Sequence, residues 1–300
     1  MNSPSIDNMQ LPQQSSTYVG RLTDTSRWDK FRSRAGDLIV CTPSKCGTTW
    51  MQAICANLIL GTSDFEGKIT DISPWFDSNL KSLEKCLDDL EAQSHRRFIK
   101  THTPLDGIPY FDSSQYLIVY RDPKDVYFSF RNHLLNMFGL PEMPLLADDP
   151  RQGFRAWMDI PFEAGLGEQS SLEAFAQHFL SFWIYRHLDN FHLFHYGDMN
   201  RDIGSTIQYL ADLLDIGLTE SRKDEICEAV SFTKMKSRAS AFVPGGGQSV
   251  FKVEEAFFSS GQNDQWRGVL ESDDLDLYND RISGLLPPDA VEWLEHGNPL

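Results

Sequence analysis

The sequence predicts an α/β fold in which helices flank a central parallel β-sheet. Two observations support this prediction. Short apolar runs, typical of strands buried on both faces of a sheet, alternate with segments of helical spacing. The first three runs each end in a polar cluster, and ligands of parallel sheets bind beyond the carboxyl ends of the strands. We therefore expect one ligand site where these strand ends meet.

The first predicted strand, 38–41, leads into a loop and then into a helix. Backbone N–H groups at the start of a helix have no partner within the helix, and the helix dipole favours negative charge there. In the loop, Gly47 lets the backbone approach a ligand, Lys45 supplies a cation, and the hydroxyls of Thr48 and Thr49 can donate hydrogen bonds. This unit is typical of a phosphate-type anion site, although an ordinary strand-to-helix turn has the same order of elements.

Two further predicted strands also end in polar residues. The strand 98–101 stops at His102, and the strand 116–120 stops at Arg121, after which a proline suits the first turn of a helix. The remaining predicted elements are helices at 124–137, 171–189 and 203–214 and a strand at 191–196. The segment 137–167, which contains four prolines, is expected to form an irregular cover over the site or a plain surface excursion.

The composition is that of a globular protein. The chain has 300 residues, 41% of them hydrophobic, which suffices for a sizeable core. We expect the polar residues 1–17 to be disordered and residues 18–300 to form a single domain. The 27 Lys and Arg against 43 Asp and Glu give a net charge of −16, which repels nucleic acid at long range. No nucleic-acid partner is expected, and an anionic ligand must be bound by a few local cations and backbone N–H groups.

Cysteine usage and hydropathy bear on the compartment. The five cysteines form no CxxC pair, and an odd number in a chain of this length is no disulfide framework. No apolar run approaches the roughly 20 residues of a membrane span, and the first residues lack the basic and apolar regions of a signal peptide. We expect a cytoplasmic protein without a membrane span; the oligomeric state is left open.

The anion loop is not a Walker A motif. That motif is G-x-x-x-x-G-K-[ST], with the lysine after the last glycine. Here Lys45 precedes Gly47, and the loop has no earlier glycine. A Mg²⁺-dependent P-loop kinase is therefore a weaker alternative.

Five short motifs follow one another along the chain. They are T-P-S-K-C-G-T-T-W at 42–50, K-T-H-T-P at 100–104, R-D-P-K-D with a serine four residues later at 121–129, L-F-H-Y-G-D-M at 193–199 and S-F-T-K-M at 231–235. In order and approximate spacing they resemble the motifs of the cytosolic-type sulfotransferases, which transfer a sulfonate group from 3′-phosphoadenosine 5′-phosphosulfate (PAPS). The resemblance implies a P-loop-like nucleotide fold, in which the loop between the first strand and the first helix is the phosphosulfate-binding loop.

The resemblance also implies a role for each matched residue. His102 would be the general base that removes the proton of the acceptor hydroxyl, with a hydrogen-bonded core histidine as the alternative. Lys45 would neutralise charge on the leaving 5′-phosphate oxygen, and Lys100 would stabilise the sulfonyl oxygens. The implied cofactor-binding residues are Lys45, Cys46, Gly47, Thr48, Thr49, Trp50, Arg121, Ser129, Tyr196, Phe232, Ser259, Ser260 and Gly261. Because a sulfonate carries less charge than a phosphoryl group, we expect no metal to be required.

The C-terminal signature departs from the family pattern R-K-G-x-x-G-D-W. Ser259 and Ser260 replace the two basic residues that would bind the 3′-phosphate of the cofactor, while Gly261 remains. The arginine and serine of the third motif would still reach this phosphate, and Lys252 and Arg267 are candidates to compensate. A catalytically impaired homologue that binds nucleotide without turnover is therefore a second alternative.

Segments outside the cofactor motifs are rich in aromatic residues. Pockets for drug-sized ligands are mostly apolar and aromatic, which favours a small-molecule or lipid-like acceptor such as a phenol, a sterol or a glycolipid alcohol. A glycine run at 245–247 is expected to be a mobile cover or a loop without function, and we interpret the histidines other than His102 as surface or structural. The aromatic residues are Trp75, Phe76, Tyr110, Phe111, Phe138, Phe154, Trp157, Phe162, Phe242, Phe257 and Phe258.

Overall fold

The computed structural model describes residues 10–65, 67–243 and 251–297. Within these residues, four parallel strands form one sheet in the order β2-β1-β3-β4. The strands are β1 (Leu38–Cys41), β2 (Phe98–Thr101), β3 (Gln115–Tyr120) and β4 (Phe191–His195). The predicted α/β class and parallel sheet are therefore confirmed.

Helices cover both faces of the sheet. They are α1 (Thr48–Leu60), α2 (Ile69–Ile72), α3 (Leu83–Ala92), α4 (Pro123–Leu135), α5 (Pro150–Asp159), α6 (Leu172–Trp183), α7 (Tyr196–Arg201), α8 (Ile203–Leu213), α9 (Glu220–Ala229), α10 (Phe232–Ser237), α11 (Ala239–Phe242), α12 (Ser272–Leu285) and α13 (Pro288–His296). Short 3₁₀ helices lie at Thr25–Lys30, Leu105–Gly107, Pro144–Leu146 and Glu254–Phe257. None of the described helices has the length and apolar character needed to cross a membrane.

Alternate residues of each strand enter two different cores. In β1, Ile39 and Cys41 pack with α4, α5, α6 and α12 on one face, whereas Leu38 and Val40 pack with α1, α8 and α9 on the other. Successive side chains of a strand point to opposite faces, so a strand between two helical layers must be apolar at every position. This explains why the strands read as continuous apolar runs.

Two predicted segments differ from the observed elements by more than two residues. Helix α6 ends at Trp183 rather than at 189, because the N–H groups of Tyr185, Arg186 and Leu188 donate to carbonyls three residues earlier and turn the chain towards β4. The segment 137–167, expected to be irregular because of its prolines, contains helix α5. Pro150 is tolerated in its first turn, where an N–H would have no helical partner.

The expected N-terminal segment 1–17 and the glycine run 245–247 extend outside the described residues. Residues 1–9 and 244–250 are not described. At the end of the N-terminal segment, the N–H groups of Ser15 and Ser16 donate to the carbonyl of Asp106, at 2.9 and 3.0 Å. That end of the segment is therefore bound to the loop that follows β2.

Candidate functional site

The carboxyl ends of three strands open onto one cavity of about 1030 Å³. Lys45 follows β1, Lys100 and His102 lie at the end of β2, and Arg121 follows β3; all four line the cavity. Strand β1 lies between β2 and β3 in the sheet, so three segments that are far apart in sequence end side by side. The sequence-predicted catalytic residues are thus brought together.

The loop between β1 and α1 bends its backbone around the cavity. Gly47 is the N-cap of α1 and has a φ of +106°, and Lys45 has a φ of +70°. The left-handed region is costly for a residue with a side chain, so the surrounding structure must hold Lys45 there. A Cβ at position 47 would lie 2.9 Å from Cδ2 of Tyr196, which requires glycine for this close approach.

The neighbouring loop residues contribute in different ways. The hydroxyls of Thr48 and Thr42 are hydrogen-bonded to each other, so the Thr48 hydroxyl is already engaged in the structure. The Cys46 side chain is fully buried in the core, and burial raises the pKa of its thiol. Thr49 lines the cavity. Cys46 can therefore serve an anion only through its backbone N–H, whereas Thr49 can also offer a hydroxyl.

Two lysines concentrate positive charge in the cavity. Burial lowers the pKa of Lys45 to about 8, with further lowering by the charges of Arg121 and Lys100. Burial also lowers the pKa of Lys100 to about 8, against the opposing effect of the negative charge of Asp77. The Lys100 ammonium lies 4.9 Å from the centroid of the Trp75 ring. Poorly solvated cations that lower one another's pKa favour an anionic ligand.

His102 is held in one tautomer. Its Nδ1 lies 2.6 Å from the carbonyl oxygen of Thr42, which can only accept, so Nδ1 carries the proton and Nε2 keeps a lone pair. The ring also contacts Trp75 edge-on, with centroids 4.9 Å apart. Burial and the charges of Lys100 and Lys45 hold the pKa of His102 well below its usual range. A neutral imidazole with a free lone pair is the form that a general base requires.

Arg121 connects β3 to the C-terminal segment. Its guanidinium is buried, lies 4.4 Å from the centroid of the Tyr196 ring, and donates to the carbonyl of Gln262. Asp125, one helical turn later, lies 3.8 Å from it and accepts the N–H groups of residues 264 and 265 at 2.8 and 2.7 Å. Among the described residues, Nε of Arg121 has no hydrogen-bond partner. One donor of a buried cation is therefore left for a ligand.

The two serines of the departing signature lie along the same cavity. Ser259 accepts a hydrogen bond from the amide of Asn132 at 3.1 Å, and the hydroxyl of Ser260 accepts from the N–H of residue 262 at 3.3 Å. Gly261 has a φ of +67°, and its carbonyl accepts from the Tyr196 hydroxyl at 3.3 Å. This segment therefore presents neutral hydroxyl and backbone groups where the family pattern has two cations.

The two candidates for compensation point elsewhere. The Lys252 ammonium donates to the carbonyl of Leu135 at 2.8 Å, and Nε of Arg267 donates to Asp264 at 2.8 Å. Neither lines the cavity. Ser129, which is buried, does line it beside Arg121.

Four rings form two pairs that line the cavity. Trp50 packs edge-on against Tyr196, with centroids 5.3 Å apart, and Phe232 contacts Phe258, with centroids 6.3 Å apart. Phe232 is 36% exposed and lines the cavity, so part of its side chain is available to a ligand. These rings suit a flat apolar group such as a purine.

A sulfotransferase domain model matches residues 35–286. The chain belongs to the sulfotransferase family. The family predicted from the five motifs is thereby confirmed.

Individual relatives agree with this assignment. A glycolipid sulfotransferase of Mycobacterium tuberculosis is 32% identical in an alignment that covers 93% of this chain and 94% of that protein. The luciferin sulfotransferase of Photinus pyralis is 25% identical, over 81% of this chain and 70% of its own. Among solved structures, mouse sulfotransferase SULT7A1 complexed with PAP (adenosine 3′,5′-bisphosphate) has a TM-score of 0.68 at 17% identity, covering 90% and 91% of the two chains. Retinol dehydratase complexed with retinol and PAP has a TM-score of 0.65 at 19% identity, covering 89% and 87%. At such identities, these likenesses establish the fold.

The other end of the cavity in this sulfotransferase is apolar. Of the aromatic residues singled out in the sequence, Phe76, Phe154 and Phe242 are core residues. Those that line the cavity are Trp75, Phe138, Trp157, Phe162, Phe257 and Phe258. Trp75 and Phe257 lie against the ammonium groups of Lys100 and Lys45, and Phe258 contacts Phe232. Phe138, Trp157 and Phe162, together with aliphatic side chains of α4 and the segment before α5, form an apolar compartment of the same cavity.

Two histidines of the cavity were missed by sequence reasoning. Nδ1 of His133 lies 3.5 Å from the Lys45 ammonium, and burial together with the nearby lysines lowers the pKa of His133 to about 2. His178 is buried, pairs with the Tyr120 hydroxyl at 2.9 Å and also lines the cavity. The available signal was helical spacing, since His133 lies one turn after Ser129 on α4.

Among the described residues, no group of three or more His, Cys, Asp or Glu side chains is arranged to hold a metal ion. That no metal is required stays a prediction.

Proposed function

We propose that this sulfotransferase transfers a sulfonate group from PAPS to a hydroxyl of a hydrophobic or amphipathic acceptor, in the cytoplasm. The observation that carries the proposal is the shared cavity. Its polar end combines Lys45, Lys100, His102 and Arg121, and its other end is apolar. A donor with phosphate groups fits the first end and an acceptor with a hydrophobic part fits the second.

The donor end suits a doubly phosphorylated adenosine. The N-terminal turn of α1 and the backbone of the loop before it would bind the 5′-phosphate end, and Trp50 and Phe232 would contact the base. Arg121 retains an unpaired buried Nε, and with Ser129 it would bind the 3′-phosphate. That the PAP-bound sulfotransferases share this fold supports the same donor here.

PAPS supplies a sulfonate joined to a phosphate, so the transferred group and the leaving group arrive together. The protein supplies positioning and charge, as in phosphoryl transfer. Lys45 stabilises the charge that grows on the leaving phosphate oxygen, and Lys100 stabilises the sulfonyl oxygens. Both act only as ammonium ions, and their pKa values of about 8 leave them charged at neutral pH.

His102 removes the proton of the acceptor hydroxyl. Nδ1 is fixed by the Thr42 carbonyl, so Nε2 is the atom that accepts the proton. The low pKa of His102 in the free protein reflects burial beside two cations. An anion bound between those cations offsets their charge, which makes His102 a better base once the donor is in place.

The acceptor is of the lipid or phenol type. The apolar compartment, with Phe138, Trp157 and Phe162 in its wall, favours a substantial hydrophobic part over a free sugar. The name of the 32% identical glycolipid sulfotransferase supports a lipid-linked hydroxyl in particular.

Transfer of labelled sulfonate from PAPS to a panel of phenols, sterols and glycolipid alcohols tests the proposal. We expect product from at least one amphipathic acceptor and none from free sugars. Binding of PAP without transfer to any acceptor would favour the impaired homologue. The loss of both basic residues at 259 and 260 is the observation behind that second candidate.

A further inference from the structure

A buried carboxylate lies directly behind the catalytic strand end. Asp77 has no exposed surface and belongs to the segment that precedes α3. That segment runs along β2: the N–H of Lys100 donates to the carbonyl of Pro74 at 2.9 Å, and the N–H of Phe76 donates to the carbonyl of Lys100 at 3.2 Å. Asp77 is thus attached to the strand that carries Lys100 and ends at His102.

One oxygen of this carboxylate collects three hydrogen bonds. Oδ2 accepts from the hydroxyl of Thr101 at 2.6 Å, from the hydroxyl of Thr103 at 2.8 Å and from the indole N–H of Trp28 at 3.1 Å. The Thr101 hydroxyl also accepts the N–H of Thr103 at 3.0 Å. Burial raises the pKa of Asp77, and the hydrogen bonds from Thr101, Trp28 and Thr103 oppose that rise by favouring the ionised form. Among the described residues, the other oxygen, Oδ1, has no hydrogen-bond partner.

The two threonines bracket His102. Both of their hydroxyls bind the same oxygen, which fixes the chain on either side of the histidine. The His102 ring itself is hydrogen-bonded to the Thr42 carbonyl. The placement of a general base matters because a displacement of about 1 Å can cost about a hundredfold in rate.

The charge of the same carboxylate acts on the catalytic lysine. The negative charge of Asp77 raises the pKa of Lys100, whereas burial lowers it to about 8. Asp77 also raises the pKa of Cys41, a buried thiol. The charge of Lys100 in turn lowers the pKa values of Lys45, His102 and His133. No described cation forms a salt bridge with Asp77. No ion pair among the described residues therefore neutralises the charge of Asp77 before it acts on Lys100.

We propose that Asp77 is a positioning residue for the transfer: it fixes His102 through the two flanking threonines, and its negative charge stabilises the Lys100 ammonium. The inference rests on the proposed function, because the roles of Lys100 and His102 do.

Two variants separate the two effects. Asp77→Asn keeps an oxygen for the hydroxyls and removes the charge, and Thr103→Val keeps the shape and removes one hydroxyl. Thr103→Ser restores that hydroxyl, and Asp71→Asn, at an exposed position, is the control for loss of one charge.

The first measurement needs no turnover. The pH dependence of lysine acetylation is followed by mass spectrometry on the full-length protein. In Asp77→Asn we expect the midpoint of Lys100 to fall by about one pH unit, which is a tenfold change in the ratio of its two forms. The midpoint of Lys45 should stay the same or rise slightly, because the neighbouring Lys100 loses its positive charge at a lower pH. An unchanged Lys100 midpoint would overturn the charge effect, and so would a joint rise of both lysines, which indicates entry of water.

The second measurement is steady-state transfer. Asp77→Asn should lose about tenfold in kcat above pH 8.5 and much less at pH 7, since Lys100 deprotonates earlier. Thr103→Val should lose about ten- to a hundredfold in kcat with an unchanged KM for PAPS, and Thr103→Ser should recover most of it. Equal activity of all three position-103 forms would overturn the positioning effect. Absence of transfer by the unmutated protein would instead refute the proposed function, while the acetylation result still decides the charge effect.

Discussion

His102 provides the most direct test of the chemistry. We predict that His102→Ala lowers kcat by about 10²–10⁴-fold, the usual contribution of a positioned base, or about 3–5 kcal/mol at 1.36 kcal/mol per tenfold. The affinity for PAP should change little, because His102 lies at the end of β2 and the anion loop follows β1. His187→Ala, at an exposed position on the turn after α6, is the matched control.

The pH profile of the unmutated protein makes the test sharper. The base must be neutral, and the pKa of His102 lies well below its usual range, so kcat/KM should not fall near pH 6.5. The two lysines must be charged, so kcat/KM should fall as the pH rises through about 8. In His102→Ala the alkaline decline should remain, since the lysines are still present.

The assay is single-turnover transfer of labelled sulfonate from pH 5.5 to 9.5, with PAP affinity measured by calorimetry. Turnover of His102→Ala within threefold of the control would refute the assignment of the base. A loss of activity centred near pH 6.5 in the unmutated protein would refute the argument from burial and neighbouring cations.

Three other outcomes are expected. Gly261→Ala should weaken PAP binding about tenfold, because φ is positive there and a Cβ would lie 2.4 Å from Cδ2 of Phe232. The control Gly268→Ala, also at positive φ but with nothing within 4 Å of its Cβ, should leave PAP binding unchanged. Equal effects of the two variants in calorimetry would contradict this. Arg97→Ala should lower the free energy of unfolding in urea by about 3–5 kcal/mol, since it leaves the buried Asp37 without its partner at 2.5 Å, and a loss below 1 kcal/mol would contradict this. Transfer in excess EDTA should match transfer without it, and inactivation that added Mg²⁺ reverses would favour the kinase-like alternative.

Much of the fold could be predicted because its signals are local. A run such as 38–41 is apolar at each position, and only a strand covered on both faces buries such a run completely. Helix ends were less predictable. The end of α6 at Trp183 depends on turns that direct the chain into β4. The start of α5 depends on a proline, which is tolerated in the first turn of a helix but breaks its interior.

The site divides in the same way. Residues that follow a strand directly, such as His102 and Arg121, could be assigned from position alone. Contacts between distant segments could not: the proximity of Lys45 to His133 spans 88 residues, and the bond from the Arg121 guanidinium to the C-terminal segment spans 141. The burial of the Cys46 side chain could not be predicted from its motif either, since the residues on both sides of it line the cavity.

The central claim is that one cavity binds an adenosine that carries phosphates at its 3′ and 5′ positions. Calorimetry that compares PAP with adenosine 5′-monophosphate tests it most directly, in the unmutated protein and in Arg121→Gln. We predict that PAP binds at least about tenfold more tightly, a difference of about 1.4 kcal/mol, and that Arg121→Gln removes most of this difference. Equal affinities of the unmutated protein for the two nucleotides would contradict the account.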